Sequence, residues 1–192
     1  MNSLRSHDIK IEINQENVAD NLRKFWSELD ARRSQRSPGT TAFDLEDFNT
    51  LEDINAYLEA LPTGACADSN LICELSVIGQ SVEGRDIYSL RVATSAVNKK
   101  SFWIDSTIHA REWLAPATTL NILDHLVTGY GNDATVDHLV DDYDWHFVIM
   151  VNPDGYAHSW DSSRYWRKNR SAPPTGSSCY GTDLNRNHDV NW

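Results

Sequence analysis

Residues 102–113, Phe-Trp-Ile-Asp-Ser-Thr-Ile-His-Ala-Arg-Glu-Trp (FWIDSTIHAREW), lead from a strand into a helix. Phe102–Ile108 is a short run of β-prone residues and reads as a strand. Trp113–Thr128 has the apolar spacing of an amphipathic helix, and Gly129 ends it. His109, Ala110, Arg111 and Glu112 therefore occupy a turn from strand to helix, where α/β sheets gather their ligands. Working outward, Ile72–Ile78, Ile87–Ala93 and Trp145–Val151 read as three further strands. Gly79–Arg85 (GQSVEGR) is a turn-rich link between the first two. Thr50–Leu61 reads as a helix: Thr50 caps it, Asp53 lies three residues on, Leu51, Ile54, Tyr57, Leu58 and Leu61 share a face, and Pro62 stops it. Strands alternating with helices predict an α/β fold.

The composition bounds the function. The chain has 192 residues, with 17 basic and 28 acidic side chains, for a formal net charge of −11. That balance argues against a nucleic-acid or anionic-membrane binder, because phosphates would be repelled. No apolar run approaches the roughly 18 residues of a membrane helix. Met1–Lys10 (MNSLRSHDIK) is polar and lacks the apolar centre of a secretory leader, so none is expected within this sequence. Seven Trp residues must be buried or must bind something. The three cysteines, Cys66, Cys73 and Cys179, leave at least one without a partner in the chain.

The amino-terminal part has a different texture. Asp8–Ile13 (DIKIEI) alternates like a strand. Asn14–Asp30 places Val18, Leu22, Phe25, Trp26 and Leu29 on one helical face. Ala31–Thr41 (ARRSQRSPGTT) follows as a basic stretch broken by Pro and Gly, and reads as an exposed linker.

Four segments could carry chemistry. A His and a Glu three residues apart, His109 and Glu112, can offer a nitrogen and an oxygen to one metal ion. The spacing alone is weak, since it also occurs at His138/Asp141 and His158/Asp161, both read as solvated surface. Asn152–Tyr156 (NPDGY) reads as a structural turn, and little periodic structure is expected from Asn152 to Trp192. Arg164–Arg170 (RYWRKNR) packs four cations into seven residues, either a solvated basic face or a binder of anions. Asp183–Asn187 (DLNRN) offers Arg186 and Asn185 as a pair suited to a carboxylate.

In this order, IHAREW (108–113), NPDGY (152–156), YWRKNR (165–170) and GTDLNRN (181–187), with GQSVEGR, resemble the zinc metallocarboxypeptidases of the carboxypeptidase A/B type. The resemblance runs from about Thr50 to Trp192. It implies a mixed twisted sheet with helices on both faces, incomplete at its carboxyl end. It divides the chain into residues 1–40, the end of an activation propeptide with its basic linker, and residues 41–192, the first part of the catalytic domain. His109 and Glu112 match two of three zinc ligands. Asp183 matches the carboxylate that orients the first ligand, and Arg167 the residue that polarises the scissile carbonyl. Asn185 and Arg186 match the clamp on the substrate's terminal carboxylate, and Arg111 lines the cleft.

One zinc ion is the implied cofactor. Peptide C-termini are the implied substrate, a trypsin-like protease acting at the basic linker the implied activator, and secretion the implied location. The third ligand, a His, and the general-base Glu of the family lie beyond residue 192, as does the residue that sets substrate preference. His188 follows Arg186 too closely to replace that ligand. The chain is therefore expected to be truncated at both ends, with an open sheet edge and little peptidase activity. A carboxylate-binding module without catalysis is the alternative. Cys179 matches a family cysteine whose partner also lies beyond residue 192.

Overall fold

The computed structural model describes residues 17–35, 43–95, 97 and 99–189. The chain divides into two compact units, 1–42 and 43–192. Asp8–Ile13 and residues 36–42 of the basic linker lie outside the described residues.

In the first unit, helix α1 (Val18–Ser34) starts at Asn17, whose side chain accepts from the Asp20 N–H. It takes in the first four residues of the expected linker, Ala31 to Ser34. Arg32 and Arg33 explain the extension: arginine is a good helix former, and its charge suits the negative end of the helix dipole.

The second unit holds a four-stranded mixed sheet in the order β1-β2-β4-β3. The strands are β1 (Ile72–Gln80), β2 (Asp86–Ala93), β3 (Lys100–Asp105) and β4 (Tyr143–Val148). β1 and β2 form an antiparallel hairpin, with Leu75 opposite Leu90 and a register shift between Val77 and Gly79. β2 is antiparallel to β4, whereas β3 and β4 are parallel, with Phe102 opposite Trp145. The mixed α/β class is as expected. β3 and β4 both stop short of their expected ends, however. The hydroxyls of Ser106 and Thr107 both donate to the Ile149 carbonyl, at 2.7 and 2.8 Å, and Thr107 turns to a φ of 63°. Those interactions take the chain out of the ladder before Ile108 and Val151.

Helix α2 (Leu51–Ala60) has the predicted capping box between Thr50 and Asp53 and buries Leu51, Ile54 and Leu58. Pro62 does not simply stop it; the chain tightens into a 3-10 turn, Leu61–Thr63, and then the short helix α3 (Ala65–Asp68). A Cys66–Cys73 disulfide ties α3 to β1, leaving Cys179 exposed and free. Helix α4 (Leu114–Gly129) follows the expected pattern. Helix α5 (Ala134–Asp142) escaped the sequence reading, although Asp133 caps it and Val136 and Val140 bury one turn apart. NPDGY is not a turn but the start of helix α6 (Pro153–Asp161), with Asn152 as N-cap and Pro153 at the first position.

The sheet face carrying Leu90, Val92, Trp145 and Phe147 is buried. Trp145 Nε1 donates to the Leu139 carbonyl of α5, and Tyr88 reaches Glu59 of α2, so those helices lie on that side. Nearby, Trp113 stacks on Trp160 at 4.1 Å, and both contact Tyr156. β3 is an edge among the described residues, with Phe102 and Trp103 about half exposed. No helix of the described residues is long and apolar enough to cross a membrane.

Candidate active site

The parallel pair β3 and β4 delivers two loops to one end of the sheet. The first carries His109, which is buried, and Glu112, whose side chain is half exposed. A tight turn, with Glu112 N–H donating to the His109 carbonyl at 3.2 Å, brings the two side chains together. His109 Nδ1 lies 3.0 Å from Glu112 Oε1. Two ligands on one tetrahedral zinc, each bonded at about 2.05 Å, would sit about 3.3 Å apart. The donor set and its spacing therefore fit one zinc ion. The same gap serves as a hydrogen bond when Nδ1 carries the proton.

Asp183 closes the other side of the imidazole. His109 Nε2 is buried and 3.3 Å from Asp183 Oδ1, close enough for attraction but too misaligned for a hydrogen bond. Asp183 Oδ2 accepts from Arg167 Nε at 2.9 Å, and Oδ1 accepts from the Asn185 N–H at 3.1 Å. The Arg167 hydrogen bond, first, and the Asn185 N–H hold the Asp183 carboxyl below its ordinary range against a weaker opposing effect of burial. Arg167 Nη1 is also 3.8 Å from Glu112 Oε1. His109, Glu112, Arg167 and Asp183 thus form one cluster.

The side chains of the other expected site residues stand outside this contact network. The Arg111 side chain is exposed, and its carbonyl accepts from Arg164. Asn185 and Arg186 lie on the exposed 3-10 turn Leu184–Arg186, where Arg186 donates to the Asn185 carbonyl at 2.7 Å. Among the described residues, no group of three or more His, Cys, Asp or Glu side chains converges on a metal position. His188 is exposed.

The basic segment 164–170 is not a solvated face. Arg164 lies over Trp113 at 3.8 Å, and Arg170 over Trp166 at 4.6 Å and Tyr180 at 5.3 Å. Lys168 lies 5.6 Å from the Trp166 ring, and Arg167 pairs with Asp183. Aromatic faces attract these cations and order the loop. His158 is also not solvated surface. It packs edge-on against Trp166, and burial, with Arg170 nearby, pushes its pKa down.

Sequence reasoning missed the residues that position these loops. Asp154 is 2% exposed and accepts from Ser81 Oγ at 2.6 Å, the Glu83 N–H at 3.0 Å and Arg85 at 2.7 Å. It joins GQSVEGR to NPDGY across the fold. A Cβ on Gly155 would stand 2.5 Å from the Lys168 carbonyl, and one on Gly181 would stand 2.3 Å from the Asn169 carbonyl. Both glycines let the 166–170 segment lie flat against the site. The only hint in the sequence was a glycine within each segment already singled out.

Known proteins resemble this arrangement. The zinc carboxypeptidase family model matches residues 57–192. Human carboxypeptidase B is 40% identical over 152 residues, covering 79% of this chain and 35% of the relative. Human carboxypeptidase A1 is 35% identical over 189 residues, covering 98% of this chain and 44% of the relative. The crystal structure of carboxypeptidase A from Helicoverpa armigera superposes with a TM-score of 0.83 at 31% identity, covering all of this chain and 46% of that one. The chain therefore spans less than half the length of these relatives. With the family model matching more than half of the chain, on a fold shared with a solved carboxypeptidase, this protein belongs to the zinc carboxypeptidase family.

Proposed function

We propose that this chain carries the first part of a zinc carboxypeptidase site that removes C-terminal residues from peptides. The observation behind this reading is the 3.0 Å convergence of His109 Nδ1 and Glu112 Oε1, beside Asp183 and Arg167. His109 and Glu112 would hold zinc, which supplies a polarised carbonyl and an acidified water. Asp183 would attract the Nε2–H of His109 by its charge and so favour Nδ1 as the ligand atom. The Arg167 guanidinium would stabilise the oxyanion that develops on the scissile carbonyl. Asn185 and Arg186 would bind the terminal carboxylate, which selects a chain end over a chain middle. Arg111 would line the cleft.

The residues before the catalytic part would be the end of an activation propeptide, cut in the basic linker by a trypsin-like protease. The Cys66–Cys73 disulfide favours a secreted, oxidising location.

A catalytic zinc keeps three protein ligands and a water. Two donors, His109 and Glu112, would hold zinc weakly, so the 192-residue chain by itself would turn over little peptide. The assay is hydrolysis of a blocked C-terminal dipeptide with added zinc. Background rates are expected, and turnover abolished by Glu112→Gln would overturn the claim of inactivity. The exposed Asn185–Arg186 turn favours a second reading, carboxylate binding without hydrolysis. Equal affinity for a free and an amidated peptide C-terminus removes it.

A further inference from the structure

We infer that Asn152 is a positioning residue that locks the metal-ligand loop to the oxyanion-arginine loop. Asn152 is 2% exposed and sits at the end of the β4 loop, where α6 begins. Its side-chain nitrogen donates to two carbonyls, that of Ile108 at 3.2 Å and that of Lys168 at 3.1 Å. One immediately precedes His109 and the other immediately follows Arg167. Its side-chain oxygen accepts from the Gly155 N–H at 3.1 Å. The partners fix the orientation of the amide: the two carbonyls can only accept, and the Gly155 N–H can only donate.

A second link runs parallel to this one, with the Ala110 N–H donating to the Arg167 carbonyl at 3.1 Å. Gly155 lets the Lys168 carbonyl come within reach, since a Cβ there would occupy its place. The two loops are far apart in sequence and carry groups that must act on one substrate carbonyl. A shift of about 1 Å between such groups costs catalysis heavily. A single primary amide, with both its N–H groups spent on the two loops, fixes their separation. Other capping residues, Ser, Thr or Asp, could start α6 equally well. None of them offers two donors, so the cap alone does not account for asparagine.

The metal half of this inference rests on the zinc-site reading above; the loop-to-loop half does not. Asn152→Asp keeps the volume and the cap but sets a carboxylate oxygen against two carbonyls. Asn152→Ser keeps the cap and removes both donors. Two quantities are read in the 192-residue chain: hydrogen exchange at the Ala110 amide, and Co²⁺ affinity by absorption titration. In both variants the Ala110 amide is expected to exchange at least about tenfold faster, while amides in the middle of α4 keep their protection. Co²⁺ affinity is expected to fall about tenfold, the lower end of the loss seen when a group supporting a metal ligand is removed.

Unchanged Ala110 protection in either folded variant overturns the inference. A parallel loss of protection across α4 also overturns it, because the role is then merely structural. If the unaltered chain binds no Co²⁺, the zinc reading fails, while Ala110 exchange still decides the clamp. If neither variant folds, the side-chain amide protons of Asn152 in the unaltered protein decide. Slow exchange supports the clamp, and exchange at the rate of an exposed asparagine overturns it.

Discussion

Arg167 Nε donates to Asp183 Oδ2 at 2.9 Å, while the other oxygen of the same carboxylate lies 3.3 Å from His109 Nε2. One acidic side chain therefore orients both a metal-ligand candidate and an oxyanion-stabilising candidate. Asp183→Asn keeps the shape but removes the charge. It is expected to weaken Co²⁺ or Zn²⁺ binding by about 10- to 100-fold, measured by competition with a chromophoric chelator. Unchanged affinity would mean that Asp183 serves only the loop.

Asp154 is expected to hold the β1–β2 turn to α6. Asp154→Ala removes the acceptor for Ser81, the Glu83 N–H and Arg85 at once. The Arg85 side chain is 38% exposed and keeps Glu83 as a partner, so the cost comes mainly from the Ser81 hydroxyl and Glu83 N–H losing their acceptor, about 1–3 kcal/mol. Urea unfolding should show a loss of about 2 kcal/mol in the alanine variant. A loss below about 1 kcal/mol would assign the turn's stability elsewhere.

Gly181→Ala should also destabilise the chain, by about 2 kcal/mol. Its φ is 79°, and a Cβ there meets the Asn169 carbonyl at 2.3 Å. The cost should appear in the 166–183 segment, as faster exchange of the Asn169 amide, which donates to Thr182. A neutral variant would show that this segment can move away freely.

The acid stability of the sheet should depend on Asp144. Burial pushes its carboxyl up, but hydrogen bonds and charge from Arg91 and Lys99 together outweigh this and hold it below the ordinary range. Its contribution is therefore complete above about pH 4, the usual carboxylate value, and is lost as pH falls through the lower folded value. Asp144→Asn should lower the thermal midpoint at pH 7. The gap to the unaltered chain should narrow below about pH 4, and a constant gap down to pH 2 would contradict this.

Much of this architecture was legible in the sequence because periodicity and capping are local. Thr50 and Asp53 announce α2, and the apolar spacing after Trp113 announces α4. α5 was missed because nine residues carry only two buried positions, Val136 and Val140. NPDGY misled because a helix start and a turn use the same residues: Asn caps, Pro suits the first position, and Gly permits close approach. His109 and Glu112 were readable from their place after a strand. Asn152 and Asp154 were not, since their partners other than the local cap at Gly155 lie 16 to 73 residues away and emerge only when the loops meet. The cations of 164–170 likewise found their aromatic partners only in three dimensions.

The proposed function rests on His109 and Glu112 sharing one metal ion. Co²⁺ titration of the chain tests it most directly, through the d–d absorption of the bound ion. One weakly bound Co²⁺ per chain is expected, with binding lost in His109→Ala and in Glu112→Ala. Binding that survives in either variant with its spectrum unchanged would contradict it.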